Sequence, residues 1–477
     1  MPESSVPDAP TVEQLLVMLA ERDRVIVALS ARVAELEARL AKNSQNSSKP
    51  PSSDAFVKPP PRSLRGRSGR RPGKQPGDPG SRLEQRSDPD RIVVHAPSAC
   101  ASCGHDLGQA PVVGEQVRQV FDLPPIRLVA TEHRVQQRAC GGCARITTAP
   151  FPADATAPAC YGPSVAALGC YLLGRQHLPV ARAAEAMADC FGAPVSTGWL
   201  ASLLPAAADR LGGFTTAARE LLRTAPVVHF DETGAWAATK RRWIHVACTD
   251  TMTVYHLDAR RGCTAIDELG VLPAMTGVAV HDGHTPYRKY QVTHGLCNAH
   301  HLRELAGIAE VTGHDWPTEL ADLLVQMHAA VDRAKASGKQ ALPASQLAGY
   351  RRRYDTLVSQ GQRLHPRPAP TGKTGRPKLG PAGSLLRRLD DYRDDVIRFA
   401  SDFTVPFDNN QAERDIRMIK LQQKISGCWR SEAGVRSFLD VRSYLSTARK
   451  HNRAALEVLQ ELFTGTPWIP ATAGPAP

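Results

Sequence analysis

The 477-residue sequence predicts a multidomain α+β fold. Three observations predict it. An apolar repeat alternately three and four residues apart runs from Leu15 to Leu40, with only Arg22 interrupting. Two C-x-x-C pairs follow, Cys100/Cys103 and Cys140/Cys143, with strand-like sequence between them. Downstream, short apolar runs that end on acidic residues alternate with long helical stretches.

Composition narrows the function classes. No run of 18 apolar residues exists, so no membrane span is expected. The opening MPESSVPDAP lacks the basic and apolar segments of a secretory signal, so a cytoplasmic location is expected. A formal charge of +12 and a pI near 9.3 favour a polyanionic partner such as nucleic acid. Eleven cysteines without an export signal point to thiols or metal ligands rather than disulfides.

Residues 11–41 read as one helix. Leu15, Leu19, Ile26, Leu29, Val33, Leu36 and Leu40 form a heptad seam, with Glu35, Glu37 and Arg39 on the flanks. A coiled coil that pairs two copies is the favoured use, and packing on its own chain is the alternative. Residues 42–90 are a polar, Pro-rich and basic linker, with too little apolar surface to offset the entropy of ordering. Within it Arg65, Arg67, Arg70, Arg71 and Lys74 are candidate contacts to DNA phosphates. A solubilising linker is the plainer account of them.

Residues 91–155 carry the metal signal. Two C-x-x-C knuckles separated by the strand-like runs Arg118 to Leu123 and Arg127 to Val135 fit a zinc ribbon. Its structural Zn²⁺ would be held by Cys100, Cys103, Cys140 and Cys143; a redox pair is the alternative. His105 is surplus to that set. Residues 156–223 are Ala/Leu-rich and helical. Pro179 to Ala188 and Ser196 to Leu204, joined across Gly192, Ala193 and Pro194, have the outline of a helix-turn-helix, although simple helical packing accounts for them equally.

The expected catalytic core comprises residues 224–308 and 401–430. Val227 to Phe230 ends on Asp231 and Glu232, an acidic pair that in isolation reads as a solvated turn. Arg242 to Cys248 and Thr253 to Leu257 follow at hairpin spacing, which implies an antiparallel meander. An amphipathic segment, Thr264 to Leu272, leads to a fourth run, Gly277 to Val280, that closes on Asp282. Three antiparallel strands, a helix and a strand returning beside the first is the order of a ribonuclease-H-like α/β fold. In it the ends of the first and fourth strands meet, so Asp231 and Asp282 can share a metal.

Residues 309–400, a helical insertion by the family resemblance given below, read as helical: a stretch from Trp316 to Ser359, a basic Pro-rich loop, and a helix from Leu385 to Ala400. Phe407 to Lys424 then predicts a helix capped by Asn409 or Asn410. Glu413, Arg417, Lys420 and Lys424 share one of its faces, an acid followed by three cations suited to metal and neighbouring phosphates. A solvated, ion-paired face is the alternative. Residues 431–477 are read as a C-terminal helical segment and tail. Three carboxylates suffice for two Mg²⁺ (or Mn²⁺) ions in phosphodiester chemistry, and no P-loop or G-x-S-x-G motif proposes another reaction.

These motifs resemble the insertion-sequence-66 family of bacterial transposases, of the Asp-Asp-Glu superfamily. The resemblance runs through KNSQNSSKPPSSD, RRPGKQPG, CASC, CGGC, HFDETGA, HDG, CNAHHLREL, DNNQAERDIR and SEAGVRS. It implies Asp231, Asp282 and Glu413 as the catalytic triad, with Cys297 and His300 shaping the site. It also implies an enzyme that cleaves element ends and joins them to target DNA in the bacterial nucleoid. A homodimer or higher oligomer, with helper proteins from the same element, is expected. Two departures stand out: Ala144 replaces the glycine usual after the second knuckle, and Asp78 replaces a frequent His. A metal nuclease that cuts without joining, and an inactive zinc-containing repressor, are the rival readings.

Overall fold

The computed structural model describes residues 11–41, 74, 77, 83–124, 126–367 and 379–471. The candidate contacts Arg65, Arg67, Arg70 and Arg71 lie outside the described residues; Lys74 is exposed. Val12–Ala41 is one 30-residue helix, α1. Leu19, Ile26, Leu29 and Val33 of its heptad seam are exposed, an apolar stripe along the helix. Among the described residues, no helix is long and apolar enough to cross a membrane.

Regular pairing in the knuckle region is confined to a short antiparallel ladder, β1 (Gln137–Ala139) with β2 (Ile146–Thr148). The expected strands at Arg118 to Leu123 and Arg127 to Val135 do not form. Val117, Val120 and Val129 stand exposed, so alternation there buries no face. The first run is instead tied to residues 85–86 by side chains. The Gln119 amide donates to Arg86 O and accepts from Arg86 N, both at 2.7 Å, and Gln85 Nε2 donates to Val117 O at 3.0 Å.

Four helices follow: α2 (Pro163–Gly174), α3 (Val180–Phe191), α4 (Thr197–Ala208) and α5 (Gly212–Thr224). The α3–α4 turn forms as the sequence suggests. Gly192 takes φ 61°, and Ser196 Oγ caps α4 by accepting from Trp199 N at 3.1 Å.

A five-stranded mixed sheet lies beyond them. Its strands are β3 (Val227–Ala237), β4 (Lys240–Cys248), β5 (Thr253–Asp258), β6 (Val278–His281) and β7 (Thr293–Leu296). Their order across the sheet is β5-β4-β3-β6-β7, with β3, β4 and β5 antiparallel and β6 and β7 parallel to β3. Helix α6 (Cys263–Leu269) makes the crossover from β5 to β6. Gly277 lets β6 enter tightly beside β3, because a Cβ there would sit 2.2 Å from Ala225 O.

After β7 come α7 (Asn298–Thr312), α8 (Trp316–Ala336), α9 (Ala344–Leu364) and α10 (Pro381–Asp391). The expected helical stretch from Trp316 breaks near Gly338, which takes φ 75°. The expected helix through Ala400 instead stops at Asp391 and resumes as two single turns, α11 (Arg393–Val396) and α12 (Arg398–Ser401). Tyr392, at the break, lies under the Arg288 guanidinium, 3.6 Å from its ring centroid. These helices share an apolar core built around Trp316, Leu324, Leu386 and Phe399.

The chain then returns to the sheet with α13 (Asn410–Ser426), α14 (Glu432–Lys450) and α15 (Ala455–Thr464). Side chains alternate across a strand, so β3 faces two cores. Val228 and Phe230 join the core that also takes in α2, α5, α14 and α15. Ala235 and Ala237 pack with α13 and α14 on the other face.

Candidate active site

The strand registers put the site together. Val228 pairs with Ala279 and His229 with Val280 on parallel strands. Carried two residues further, that register sets Asp231 level with Asp282. The β6–β7 register pairs His281 with Leu296, so its next step sets Asp282 level with Cys297. Asp231, Asp282 and Cys297 therefore form a row across three parallel strand positions. Alternation turns Asp231 to the face that α13 covers, the face of His229, Ala235 and Ala237, and Cys297 meets the start of that helix through Asn409 N–H, while Asp282, one residue past β6, lies beside Arg261.

Strand β3 does not end at the acidic pair, as the sequence suggested, but continues through it to Ala237. Asp231 opposes Val246 and Glu232 opposes His245 on β4, which supplies ladder partners that no local signal announces. The two acids consequently point to opposite faces. Glu232 goes to the side away from α13, where Tyr287 OH donates to it at 2.5 Å and Arg261 Nε at 2.7 Å. Arg261 Nη2 also lies 3.8 Å from Asp282 Oδ2, linking this buried acid to the row. Asp231 remains the one of the pair that faces α13.

Glu413 enters from the first turn of α13. The helix is held by Asn409, which occupies the cap position without capping. Its Oδ1 accepts from His229 Nδ1 at 2.8 Å, its Nδ2 donates to Phe230 O at 2.8 Å, and its backbone N–H donates to Cys297 Sγ at 3.2 Å. The predicted cap is corrected accordingly: the amide is spent on fastening the helix to β3. Glu413 Oε1 lies 3.5 Å from Arg303 Nη2 and 3.9 Å from His300 Nδ1, both on α7.

Electrostatics ties the carboxylates together. Burial raises the Asp231 carboxyl well above its ordinary range, and the charges of Glu232, Asp282 and Glu413 raise it further. Negative groups gathered around a buried acid create a demand for a cation. Among the described residues, the ligand groups with donor atoms all within 4.8 Å are Cys297–His300–Glu413 and His256–Asp258–Glu268. The oxygens of Asp231, Asp282 and Glu413 are not all within that limit of one another. These oxygen-only donors fit Mg²⁺ or Mn²⁺.

The basic stripe on α13 is only partly available. Arg417 and Lys424 are exposed. Lys420 instead donates to Gly234 O at 2.5 Å, and burial lowers its affinity for a proton. The flexible lysine reaches an open carbonyl on β3, so it fastens the helix rather than offering a free cation to phosphate. A second fastening was absent from the sequence reading: Lys450 Nζ lies 2.6 Å from Asp415 Oδ2, which also accepts from Thr253 Oγ1 at 2.9 Å.

The cysteine pairs form two matching turns. Cys100 N donates to His105 O and Gly104 N to Cys100 O, at 2.8 and 2.9 Å. Cys140 N to Arg145 O and Ala144 N to Cys140 O repeat the pattern at 2.9 and 2.8 Å. Gly104 takes φ 74° and Ala144, at the equivalent place, φ 58°. Backbone N–H groups, chiefly of Cys103 and Gly142, lower the Cys100 and Cys140 thiol pKa values toward thiolate. No three of the four sulfurs lie within 4.8 Å of one another, although their donor chemistry fits zinc. The His105 side chain is exposed, as expected of a residue surplus to the set.

Comparison with known families defines the class first: a transposase, a DNA-modifying enzyme, with a zinc-finger domain. Residues 159–437 match the Transposase IS66 family, and residues 97–144 match the zinc-finger binding domain of transposase IS66. Residues 8–84 match a family of unknown function, DUF6444. The first match covers more than half of the chain, and the chain belongs to the IS66 transposase family. No curated protein matches it.

Proposed function

We propose that the protein cleaves the 3′ ends of its insertion sequence and joins the freed 3′-hydroxyls to target DNA. The observation that carries this reading is the register that sets Asp231 level with Asp282, with Glu413, in the first turn of α13, near enough to add to the negative charge felt by Asp231. The sheet order β5-β4-β3-β6-β7, with only β4 antiparallel to both of its neighbours, supports a ribonuclease-H-like core. Asp231, Asp282 and Glu413 would hold two Mg²⁺ or Mn²⁺ ions, which when bound activate the attacking oxygen and stabilise the leaving one.

The chain's own groups do the rest. Arg261 neutralises Glu232 beside the row and steadies Asp282. Arg303 balances Glu413 until a cation arrives. Exposed Arg417 and Lys424, with the basic arm Arg65, Arg67, Arg70, Arg71 and Lys74, would bind phosphates. Cys100, Cys103, Cys140 and Cys143 would hold the structural zinc, and the exposed stripe of α1 would pair two protomers on DNA.

Asp231→Asn should abolish Mg²⁺-dependent strand transfer from a pre-cleaved end while leaving end binding in a mobility-shift assay intact. The metal-free variant should also unfold at higher denaturant than the parent, because a repelled buried carboxylate has been removed. Strand transfer at the parental rate refutes the mechanism. Cleavage without joining by the unaltered protein favours the nuclease reading.

A further inference from the structure

We propose that Cys297, His300 and Glu413 form a binding site for a borderline transition-metal ion, Zn²⁺ above all, separate in its ligand chemistry from the oxygen-only carboxylate set. One donor atom from each of the three residues lies within 4.8 Å of the other two. Donor atoms this close can reach one tetrahedral ion, with a fourth position left open. Sulfur and imidazole donors select Zn²⁺ over Mg²⁺, which takes oxygen and keeps its waters.

An independent observation points the same way. His300 Nδ1 is buried and has no hydrogen-bond partner among the described residues, and it faces Glu413 Oε1 at 3.9 Å, too far for a hydrogen bond but suited to an ion between them. A buried ring nitrogen left in this state costs free energy that a metal bond would return. The backbone builds the rest of the site. Cys297 joins β7 to α7 and His300 N donates to Cys297 O at 3.2 Å, so the first turn of α7 brings the ring back toward the thiol. Asn409 N–H donates to Cys297 Sγ at 3.2 Å, the second-sphere hydrogen bond that a metal-bound thiolate needs.

Two features oppose binding and set its character. Cys297 is buried, so Zn²⁺ must displace its thiol proton to solvent as it binds. Arg303, 3.5 Å from Glu413 Oε1, must yield part of its hold on that carboxylate. The site shares Glu413 with the proposed triad, and only its effect on catalysis rests on that reading. The test therefore reads metal and not strand transfer.

The full-length chain is loaded with Zn²⁺, desalted and assayed for bound metal, then reloaded with Co²⁺ for absorption spectra. Cys297→Ser and His300→Gln are each expected to lose about one equivalent of zinc relative to the parent. Each should also lose a thiolate-to-cobalt charge-transfer component, while the Cys100, Cys103, Cys140 and Cys143 contribution persists. Circular dichroism checks that each variant folds, and either one alone suffices for the comparison. Zinc content and cobalt spectra unchanged in a folded variant overturn the proposal, whatever the strand-transfer assay returns.

Discussion

Asn409 and Asn410 stand next to each other in the sequence with equal claim to a helix cap, yet they should behave very differently when truncated. Asn409 is 1% exposed, and its amide bonds both His229 Nδ1 and Phe230 O at 2.8 Å. Asn409→Ala leaves a buried imidazole N–H and a buried carbonyl without partners. Each costs about 1–3 kcal/mol, so with partial relaxation the loss should be about 2–4 kcal/mol. Asn410 is exposed, and its side chain reaches only Asp408, so Asn410→Ala should cost within about 0.5 kcal/mol. Urea unfolding followed by far-ultraviolet circular dichroism measures both. Under conditions where Asn409→Ala remains folded, strand transfer should still fall by about a hundredfold, because Glu413 rides on the loosened helix. If the two variants lose stability equally, Asn409 is an ordinary cap and the fastening of α13 to β3 is refuted.

Three further predictions rest on other parts of the chain. Lys450→Met should destabilise the core by about 2–3 kcal/mol in urea unfolding, because it leaves the part-buried Asp415 carboxylate without its cation. Ala144→Gly should tighten zinc binding in a chelator competition by about 1 kcal/mol, since the left-handed φ of 58° strains alanine and not glycine. Burial lowers the His177 and His245 pKa values to about 4, so both rings stay neutral in the fold and take protons in the unfolded chain below about 6.5. Their contribution is present above pH 6.5 and lost as pH falls towards 4. For His245 the loss reaches about 3 kcal/mol, and His245→Phe should flatten that part of the stability profile.

Much of the candidate site was legible along the chain. Asp231, Asp282 and Glu413 each follow a local pattern, an apolar strand run or a helical face, and local patterns survive without tertiary information. The acidic pair shows where legibility stops. Nothing adjacent in sequence says which of Asp231 and Glu232 faces α13; that depends on β3 continuing through both, which depends on nine residues of pairing with β4. Lys420 shows the same limit, because its helical position was read correctly while its partner, Gly234 O, lies 186 residues away. In the knuckle region the opposite error arises. Alternation at Arg118 to Leu123 suggested a strand, but alternation acts only when a second layer covers one face, and Val120 has none.

Spacing along the chain thus settles what is covalently local: the long N-terminal helix, the two C-x-x-C turns, the short apolar runs and the acid that heads a basic helix. Folding decides what is brought together across distance. It sets Asp231, Asp282 and Cys297 in one row, turns Glu232 away to Tyr287 and Arg261, and uses Asn409 to anchor the helix that carries Glu413. The reason is physical. Helix and turn preferences arise within a few residues, whereas strand register and the pairing of buried polar groups arise from the free energy of burying many distant residues at once.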